Sequence, residues 1–385
     1  MKTGSPGFIG ARLRQAREAR GLTITALAEL LGVTKQAVSQ YENGSGSPRP
    51  EVLTRLASVL NLPMHFFTKP LPDLSFDRPI FYRSMSAATK AARARAEVRY
   101  GWIRELRAQL REAIEFPVVK FPSFNLPAEL NHFTARRLED LASETRRFWG
   151  LGDGPIPHVV RILESQGALI VRDHLDAETL DALSDWAQPE DVPFVVLNDE
   201  KDSAVRSRLD VAHELAHLIV HKGFPKEYLL KTPQFRQMED QAFRFGAAFL
   251  LPEKSFLNDL YSISLESFRV LKAKWKVSIG MMIKRVDDLG IVKEETTRRL
   301  WINYSRRGWR QREPLDDELP IEEPSLLRQA CELIVRERLQ NHEQLVEASA
   351  MSRKDMAQFA GLPEDFFGPH DPEVNLKILR FPKAN

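Results

Sequence analysis

Asp210-Val-Ala-His-Glu-Leu-Ala-His-Leu-Ile-Val-His221 is an almost continuously apolar run with polar side chains at a few regularly spaced positions. Residues four apart lie on one face of an α-helix, so His213 and His217 can bind one metal ion while Glu214 reaches a water molecule beside it. Polar side chains on so apolar a helix need partners, and a zinc ion would satisfy all three. The stretch therefore predicts a zinc-hydrolase site. The alternative is an amphipathic helix whose histidines are hydrogen-bonded separately.

A catalytic zinc site takes a third protein ligand and leaves its fourth position to water. His221 is one candidate, but a helix rises about 6 Å over four residues, which separates His213 from His221 by about 12 Å along the axis. The two side chains cannot readily bind the same ion. We therefore expect His221 to be a surface histidine or a neighbour of the ligands.

Two carboxylates at the start of the next predicted helix, Gln237 to Leu250, are the other candidates. Glu239 shares its helix face with small and apolar residues, which directs its carboxylate into the protein, where it needs a counter-charge. Asp240 instead shares its face with two arginines and can be satisfied outside. We predict Glu239 as the third ligand. A helix N-terminal carboxylate that interacts with the helix dipole is the alternative.

Length and composition predict a soluble protein of several domains. A chain of 385 residues is too long for one ordinary core, and its 43% apolar and 28% charged residues are typical of globular proteins. It has no uncharged apolar run of about 18 residues and no apolar N-terminal segment, which argues against a membrane span or a signal peptide. Cys331 is the single cysteine, so intramolecular disulfides are excluded and a reducing cytoplasm is expected.

The charge of the chain is unevenly distributed. Residues 1–116 contain 18 Lys and Arg against 10 Asp and Glu, a surplus of 8. Because the whole chain has a net charge of +2, the remainder carries about −6. A basic first part favours contact with nucleic acid, and a solvated basic helix is the alternative.

Four or five short helices joined by tight turns are predicted between Phe8 and Phe67. The second begins after Thr23 and ends at Gly32, which opens a short turn into the third, and two helices joined in this way form a helix-turn-helix unit. The third helix would enter the major groove of DNA, because its outward side chains suit base edges and phosphates. These predicted DNA-binding residues are Lys35, Gln36, Ser39 and Gln40.

This region resembles the Cro/C1-type (XRE family) DNA-binding domain. The resemblance rests on the runs Leu27-Ala-Glu-Leu-Leu-Gly-Val-Thr34, Gln36-Ala-Val-Ser-Gln-Tyr-Glu-Asn-Gly44 and Leu56-Ala-Ser-Val-Leu-Asn-Leu-Pro63. It implies double-stranded operator DNA as a partner, although Ile24 stands where the family often has a polar residue that contacts phosphate. A homodimer is expected, because a single small helix-turn-helix reads only a few base pairs.

Residues 71–130 are predicted to connect two domains. Prolines and the pair Phe81-Tyr82 indicate an extended connector, and Ser86 to Glu115 is predicted to be one long basic helix with an apolar stripe. Such a helix could bridge domains by packing, dimerise along its stripe or lie near the DNA backbone, and packing is the favoured interpretation. A second linker follows, from Phe116 to Pro127.

Residues 131–310 are predicted to form an α+β domain. Gly167 to Val171 and Pro193 to Asn198 are short β-branched runs bounded by turn formers, as expected of buried strands. Ser203 to His221 is the metal-binding helix and would back the small sheet. Leu271 to Leu289 looks like a second, basic helix-turn-helix, for which a solvated face is favoured over contact with nucleic acid.

Several runs of this domain are similar to the ImmA/IrrE metallopeptidase family. They are Gly154-Pro-Ile-Pro157, Leu183-Ser-Asp-Trp186, Pro193-Phe-Val-Val-Leu-Asn198, Arg208 to His217 and Met238 to Pro252. The resemblance covers about residues 133–300 and implies a zincin-like fold of the gluzincin type and a zinc-dependent endopeptidase. It places His213, His217 and Glu239 at the family's ligand positions and Glu214 at its general base. It also implies a repressor-type protein substrate, cut in a stress or mobile-element response.

The chain is thus expected to be multidomain, with an all-α helix-turn-helix domain, an α+β zincin-like domain and a small helical C-terminal region. The predicted boundaries are 1–70 for the helix-turn-helix domain, 71–130 for the linker and long helix, 131–310 for the peptidase domain, and 311–385 for an acidic, proline-rich linker with the C-terminal helices. The predicted function is a DNA-binding transcriptional regulator that carries a zinc endopeptidase. One alternative is a repressor or antitoxin whose metal site is structural or sensory and cuts nothing. Another is a protease whose N-terminal domain only recognises a repressor.

Overall fold

The structure is a computed structural model that describes residues 4–72, 80–82, 89–175, 181–200, 203–225, 227–230, 232–368 and 379–380. Pro79 of the predicted connector and Ser86, the predicted start of the long helix, lie outside the described residues. No helix among the described residues is long and apolar enough to cross a membrane.

Residues 4–67 form a helical bundle, as the sequence predicts. Threonine side chains begin two of its helices, since Thr23 accepts a hydrogen bond from the backbone N–H of Ala26 and Thr34 accepts one from Ala37. Gly32 ends the second helix in the left-handed region, at φ 62°, and opens the predicted turn. The helices are α1 (Gly10–Ala19), α2 (Ile24–Leu31), α3 (Lys35–Glu42) and α4 (Pro50–Leu60), followed by a 3-10 helix (Met64–Phe67).

The connector contains a short strand, β1 (Phe81–Tyr82), the long helix α5 (Lys90–Leu110) and a second short strand, β2 (Ile114–Glu115). Residues 99–106 of α5 are all buried, so this part of the helix is surrounded by protein on every side. The apolar side chains of α5 belong to the same core as those of the helix-turn-helix bundle and of the last helices of the chain. α5 therefore packs as a bridge, which was the favoured interpretation.

Ion pairs attach the bundle to α5. The guanidinium of Arg12 on α1 is fully buried and contacts both carboxylate oxygens of Glu105, at 2.7 and 3.0 Å. Burying two charges is unfavourable unless they are paired in good geometry, and two parallel N–H···O bonds provide that. The pair therefore determines how α1 sits on α5.

Residues 135–220 contain three strands of the four-stranded sheet and the predicted metal-binding helix. They are built from α6 (Ala135–Phe148), α7 (Val159–Ser165), β3 (Leu169–Asp173), β4 (Ala182–Ala187), β5 (Val192–Asn198) and α8 (Ala204–Val220). The strand order is β1-β4-β5-β3, with β3 parallel to β5 and β4 antiparallel to both β5 and β1. The predicted strands correspond to β3 and β5. The sequence does not indicate β4, because Ser184 and Asp185 stand where a buried strand would be apolar.

The helices that follow cover α8. They are α9 (Glu227–Leu230), α10 (Thr232–Leu250), α11 (Glu253–Asp259), α12 (Leu265–Trp275), α13 (Ile279–Asp288) and α14 (Glu294–Arg306). α10 packs directly on α8, and a Cβ added at Gly246 would lie 3.2 Å from the backbone of Ala212 and His213. Glycine is needed there because the two helices approach so closely. The turn between α12 and α13 has the predicted N-cap, since Ser278 accepts a hydrogen bond from Met281.

The acidic, proline-rich stretch from residue 313 to 324 has no helix or strand but is held against this domain by buried carboxylates. Glu313 accepts hydrogen bonds from Lys272, at 2.8 Å, and from the hydroxyl of Tyr304, at 2.8 Å. Glu322 pairs with the buried Arg208 and accepts a hydrogen bond from the backbone of Val160. The stretch is thus not an extended solvated linker.

The C-terminal helices are α15 (Leu326–Arg336), α16 (His342–Ser349) and α17 (Arg353–Ala360), followed by a 3-10 helix (Glu364–Phe367) and by β6 (Leu379–Arg380), which pairs with β2. α16 and α17 repeat the local geometry of α2 and α3. Each pair consists of two eight-residue helices joined by a left-handed residue, an apolar residue and a hydroxyl N-cap, Gly32-Val-Thr34 in the first and Ala350-Met-Ser352 in the second.

The second pair is built into the core instead of facing solvent. α17 packs against β3. Ala357 on α17 corresponds in position to Ser39 on α3 and is buried. Gln358 corresponds to Gln40 and donates a hydrogen bond to Asp199. The sequence shows no chemical constellation in this region, and the structure gives it a packing role.

A chain of buried charges links the bundle, α5, α17 and the sheet. Asp355 on α17 contacts Arg20 of α1, at 2.6 Å, and Arg99 of α5, at 3.1 Å, while Arg99 also pairs with Asp173 of β3, at 2.5 Å. Burial by itself raises the pKa of Asp355, but hydrogen bonds and charge from Arg20 and Arg99 hold the pKa below its usual value. The carboxylate is therefore ionised and shared by two arginines.

We expect Asp355→Ala to destabilise the protein by about 3 kcal/mol, because it leaves buried guanidinium charge without its counter-ion. Urea unfolding of the full chain would measure the loss. Glu337→Ala removes the partner of an exposed pair with Arg336 and should change stability by less than about 1 kcal/mol. Equal effects of the two substitutions would contradict the structural role of Asp355.

Candidate metal centre

α8 presents His213, Glu214 and His217 in its second half, and all three side chains are buried. The two Nε2 atoms of His213 and His217 lie 3.1 Å apart, because one helical turn stacks the imidazoles. Glu239 of α10 completes the cluster, with Oε2 at 3.5 Å from Nε2 of His213 and Oε1 at 3.2 Å from Nε2 of His217. The structure thus brings together the three predicted ligands, whose binding atoms all lie within 4.8 Å of one another.

These separations fit zinc. Ligand atoms about 2.0–2.1 Å from a tetrahedral zinc ion are about 3.3 Å from one another, and the observed separations are 3.1, 3.2 and 3.5 Å. Two imidazole nitrogens and one carboxylate oxygen are also the donor set that zinc accepts. The residues present therefore fit a zinc ion.

Glu239 has the charge state that a ligand requires. Burial by itself raises the pKa of Glu239, but hydrogen bonds and charge from His213 and His217 hold the pKa far below its usual value. α10 begins at Thr232, so Glu239 lies two helical turns inside the helix. The alternative of a helix N-terminal carboxylate, and the prediction that Glu239 opens the helix, are therefore wrong.

Glu214 is fully buried beside the cluster and is held by a residue that the sequence does not single out. The hydroxyl of Ser184 on β4 donates a hydrogen bond of 2.5 Å to Oε2 of Glu214. Ser184 is also fully buried. A polar side chain in the middle of a buried strand is the signal that could have identified it, because such a group needs a partner.

His221 is fully buried, so the expectation of a surface histidine is wrong and that of a neighbour of the ligands is correct. Its Nδ1 lies 2.9 Å from Nδ1 of His217, and its Nε2 lies 3.2 Å from Oε1 of Gln241. The amide nitrogen of Gln241 donates to the backbone carbonyl of Leu130, at 2.7 Å, which determines the orientation of the amide. These contacts form a hydrogen-bond relay, Leu130–Gln241–His221–His217.

The relay determines which nitrogen of His217 is free to bind metal. Because the oxygen of Gln241 can only accept, Nε2 of His221 carries the proton and its Nδ1 is an acceptor. Burial, followed by the charge of His217, lowers the pKa of His221 well below its usual value, so the ring is neutral. Nδ1 of His217 must then donate, so Nε2, on the side of His213 and Glu239, is the nitrogen of His217 that can bind metal.

Replacing Gln241 by leucine should weaken zinc binding by about 10- to 100-fold, because ligating histidines lose affinity when the partner that orients them is removed. Competition with a chelator of known affinity would measure the change. Gln237→Leu is a matched control on the same helix, since that side chain contacts Asn131 and not the relay. If both variants bind zinc as tightly as the wild-type chain, the relay does not orient His217.

A cleft of about 650 Å³ opens beside His213 and Glu239. Its remaining lining includes charged and aromatic side chains, namely Asp181, Arg206, Asp240, Phe243, Lys284 and Trp301. A cleft of this size that ends at the metal cluster can hold several residues of a peptide.

The predicted DNA-binding residues lie together on α3, which contributes no residue to the candidate metal cluster or to its cleft. Lys35, Gln36 and Gln40 are exposed and Ser39 is partly exposed, while Val38 on the opposite side of the helix is fully buried in the bundle. The structure therefore presents the four side chains on one accessible face.

Two family models match this chain. One, described as helix-turn-helix, covers residues 13–67, and the other, described as the IrrE N-terminal-like domain of a peptidase family, covers residues 163–287. Both resemblances are confirmed: the chain joins a helix-turn-helix domain to an IrrE N-terminal-like domain.

Similar curated proteins are helix-turn-helix regulators. The uncharacterized HTH-type transcriptional regulator RghRB and the HTH-type transcriptional repressor RghR, both of Bacillus subtilis (strain 168), are 42% identical over 55 residues, which is 14% of this chain and 40% and 41% of those proteins. The HTH-type transcriptional regulator SutR of Escherichia coli (strain K12) is 36% identical over 63 residues, or 16% of this chain and 35% of SutR. The chain thus spans less than half the length of these relatives.

Proposed function

We propose that this chain, with its helix-turn-helix and IrrE N-terminal-like domains, is a DNA-binding transcriptional regulator that carries a zinc-dependent endopeptidase of the gluzincin type. The observation that carries the proposal is the cluster of His213, His217 and Glu239 beside a buried Glu214 and an open cleft. The substrate that we propose is a repressor-type protein, either a partner or a second copy of the chain.

The ligand roles follow from the relay and the charges of the site. Nε2 of His213, Nε2 of His217 and the carboxylate of Glu239 would hold the ion. Zinc, when bound, supplies a Lewis acid that polarises a scissile carbonyl and makes water acidic enough to lose a proton near neutral pH. The negative charge of Glu239 balances part of the charge of the ion.

Glu214 is the proposed general base. It lies next to the ligands on α8, and the hydrogen bond from Ser184 holds its carboxylate in one orientation. Glu214 takes the proton of the attacking water and passes it to the leaving amine, which completes hydrolysis of the peptide bond without a change in net charge. Ser184 acts as a positioning residue for this carboxylate.

The DNA-binding part of the proposal rests on α3. Its exposed face would enter the major groove, where Gln36 and Gln40 suit base edges and Lys35 suits a phosphate. One such helix contacts only a few base pairs, so a homodimer on paired half-sites is part of the proposal.

A repressor or antitoxin with a structural metal site is the competing function. Structural zinc sites take four protein ligands, whereas catalytic sites take three and leave one position open. Among the described residues, three ligand groups come together, and a cleft opens beside them. This arrangement favours catalysis.

Incubation of the zinc-loaded chain with the repressor-type proteins encoded next to its gene would test the proposal. We expect fragments of one of them, or of the chain itself, by mass spectrometry, and no fragments after the zinc is removed by a chelator. Intact proteins in every incubation, despite one bound zinc ion per chain, would support the competing function.

A further inference from the structure

The strand β1 lies on the edge of the sheet next to the metal centre. Its residues pair antiparallel with β4, with Phe81 opposite Ser184 and Tyr82 opposite Leu183. The strand belongs to the connector and lies outside both matched regions, 13–67 and 163–287. The connector therefore supplies a strand to a sheet that belongs to the peptidase domain.

The side chain of Phe81 reaches the predicted ligands. Residues directly opposite in an antiparallel pair project from the same face of the sheet, and Ser184 faces Glu214 on α8. The ring of Phe81 accordingly stacks on that of His217, with centroids 4.7 Å apart and planes inclined by 9°, and lies 6.2 Å from the ring of His221. Phe81 is 3% exposed, so its ring is enclosed between the sheet edge and the two histidine rings.

The edge of β4 has the properties of a peptide-binding surface. An extended peptide can bind a sheet by adding a strand to its free edge, with affinity from backbone hydrogen bonds and specificity from pockets for alternate side chains. Without β1, β4 would be an edge strand of this sheet. Because Ser184 on β4 contacts Glu214, a peptide backbone on this edge would pass close to the proposed general base.

We propose that β1, through Phe81 and Tyr82, is an autoinhibitory strand, which occupies the edge of β4 along which an extended substrate of the proposed peptidase would lie. The partner is an extended segment with a large apolar side chain in the place of Phe81. This inference rests on the proposed peptidase function and adds its regulation. An external segment must displace β1 before it can bind.

Tethering makes the resident strand an effective competitor. A segment joined to its site by a short connector has an effective concentration on the order of millimolar. The apparent affinity of an external peptide is its intrinsic affinity multiplied by the fraction of molecules in which the edge is open. Weakening the resident strand should therefore tighten the binding of an external peptide.

A labelled peptide with the sequence of residues 76–86 is the probe. Its binding is measured in the full, zinc-loaded chain carrying Glu214→Gln, so that no cleavage interferes. Adding Phe81→Ala should lower the dissociation constant at least about tenfold, because the resident strand loses its stacked ring. Phe81→Leu keeps most of the apolar volume, should fold like the wild-type chain and should give a smaller gain. A peptide of the same sequence with alanine at the position of Phe81 should bind more weakly to all forms.

Phe133→Ala is the matched control. Phe133 is buried in the same core and its ring lies 6.3 Å from that of His221, but it is not on the edge of the sheet. It should lower stability without tightening the peptide. Unchanged peptide affinity in both Phe81 variants, or an equal gain in Phe133→Ala, would overturn the inference and make Phe81 a core residue only.

The two proposals fail separately. Peptide binding does not depend on catalysis. If Phe81→Ala increases the affinity for the peptide but the chain that retains Glu214 cleaves nothing, the inference on β1 is supported and the peptidase function is contradicted. If a substrate is cleaved at the same rate with and without Phe81, the peptidase function is supported and the inference on β1 is contradicted.

Discussion

Replacing Glu214 by glutamine should reduce substrate cleavage by at least about 10²- to 10⁴-fold, which is the contribution expected of a positioned general base. The amide has the size of the carboxylate and can still accept the hydrogen bond from Ser184, but it cannot take a proton from water. The ligands are unaltered, so the zinc content should stay at one ion per chain. Cleavage rates and zinc content, measured on the same preparation, test both expectations.

Glu239→Gln is the companion variant, and it should fail in a different way. It removes the negative ligand whose charge interacts with His213 and His217, so activity and zinc should be lost together. The peptidase assignment is contradicted if Glu214→Gln cleaves at the wild-type rate while it retains zinc.

The double substitution Lys35→Ala with Gln40→Ala should weaken binding to the operator by at least about 30-fold, because each of the two contacts contributes about 1–3 kcal/mol. The operator is first selected with the wild-type chain from random duplex DNA, and affinity is then measured at one salt concentration. Both residues are exposed, so the fold and the zinc centre should be unaffected.

The repeated unit at the C-terminus offers a matched control for this experiment. Arg353 and Lys354 on α17 correspond in position to Lys35 and Gln36 on α3 and are also exposed. The rest of the α17 face is packed against the sheet and cannot contact DNA. Arg353→Ala with Lys354→Ala should therefore change operator affinity by less than about threefold, which is the effect of removing positive charge outside the DNA interface. Comparable losses from both double variants would show that binding is not specific to α3.

Much of the candidate metal centre could be predicted from the sequence, because its residues lie at short spacings within single helices. The spacing of His213 and His217 needs only a helix to bring the two rings together, and the apolar surroundings of Glu239 indicate that it points inward. The helix-turn-helix is local in the same way, since Thr23, Gly32 and Thr34 determine its caps and turn within a dozen residues. Predictions of this kind require no knowledge of which distant segments meet.

The parts that were missed are those that depend on distant segments. Ser184 reaches Glu214 only because β4 lies beside α8, and Gln241 reaches His221 only because α10 crosses α8 at Gly246. The position of His221 was partly predictable, because the helical spacing that prevents it from sharing an ion with His213 also places it against His217. The start of α10 was misplaced because Thr232 to Gln237 contains a proline and few apolar residues.

The sequence by itself determined the proposed ligand set, the proposed base and the helix proposed to read DNA, because each is encoded by spacing along one or two helices. Only the tertiary structure decided which nitrogen of His217 faces the other ligands, how the acidic stretch is held against the domain, and the place of Phe81 on the sheet edge. The physical reason is that these features follow from contacts between segments tens to hundreds of residues apart, whose register is set by the packing of the whole core.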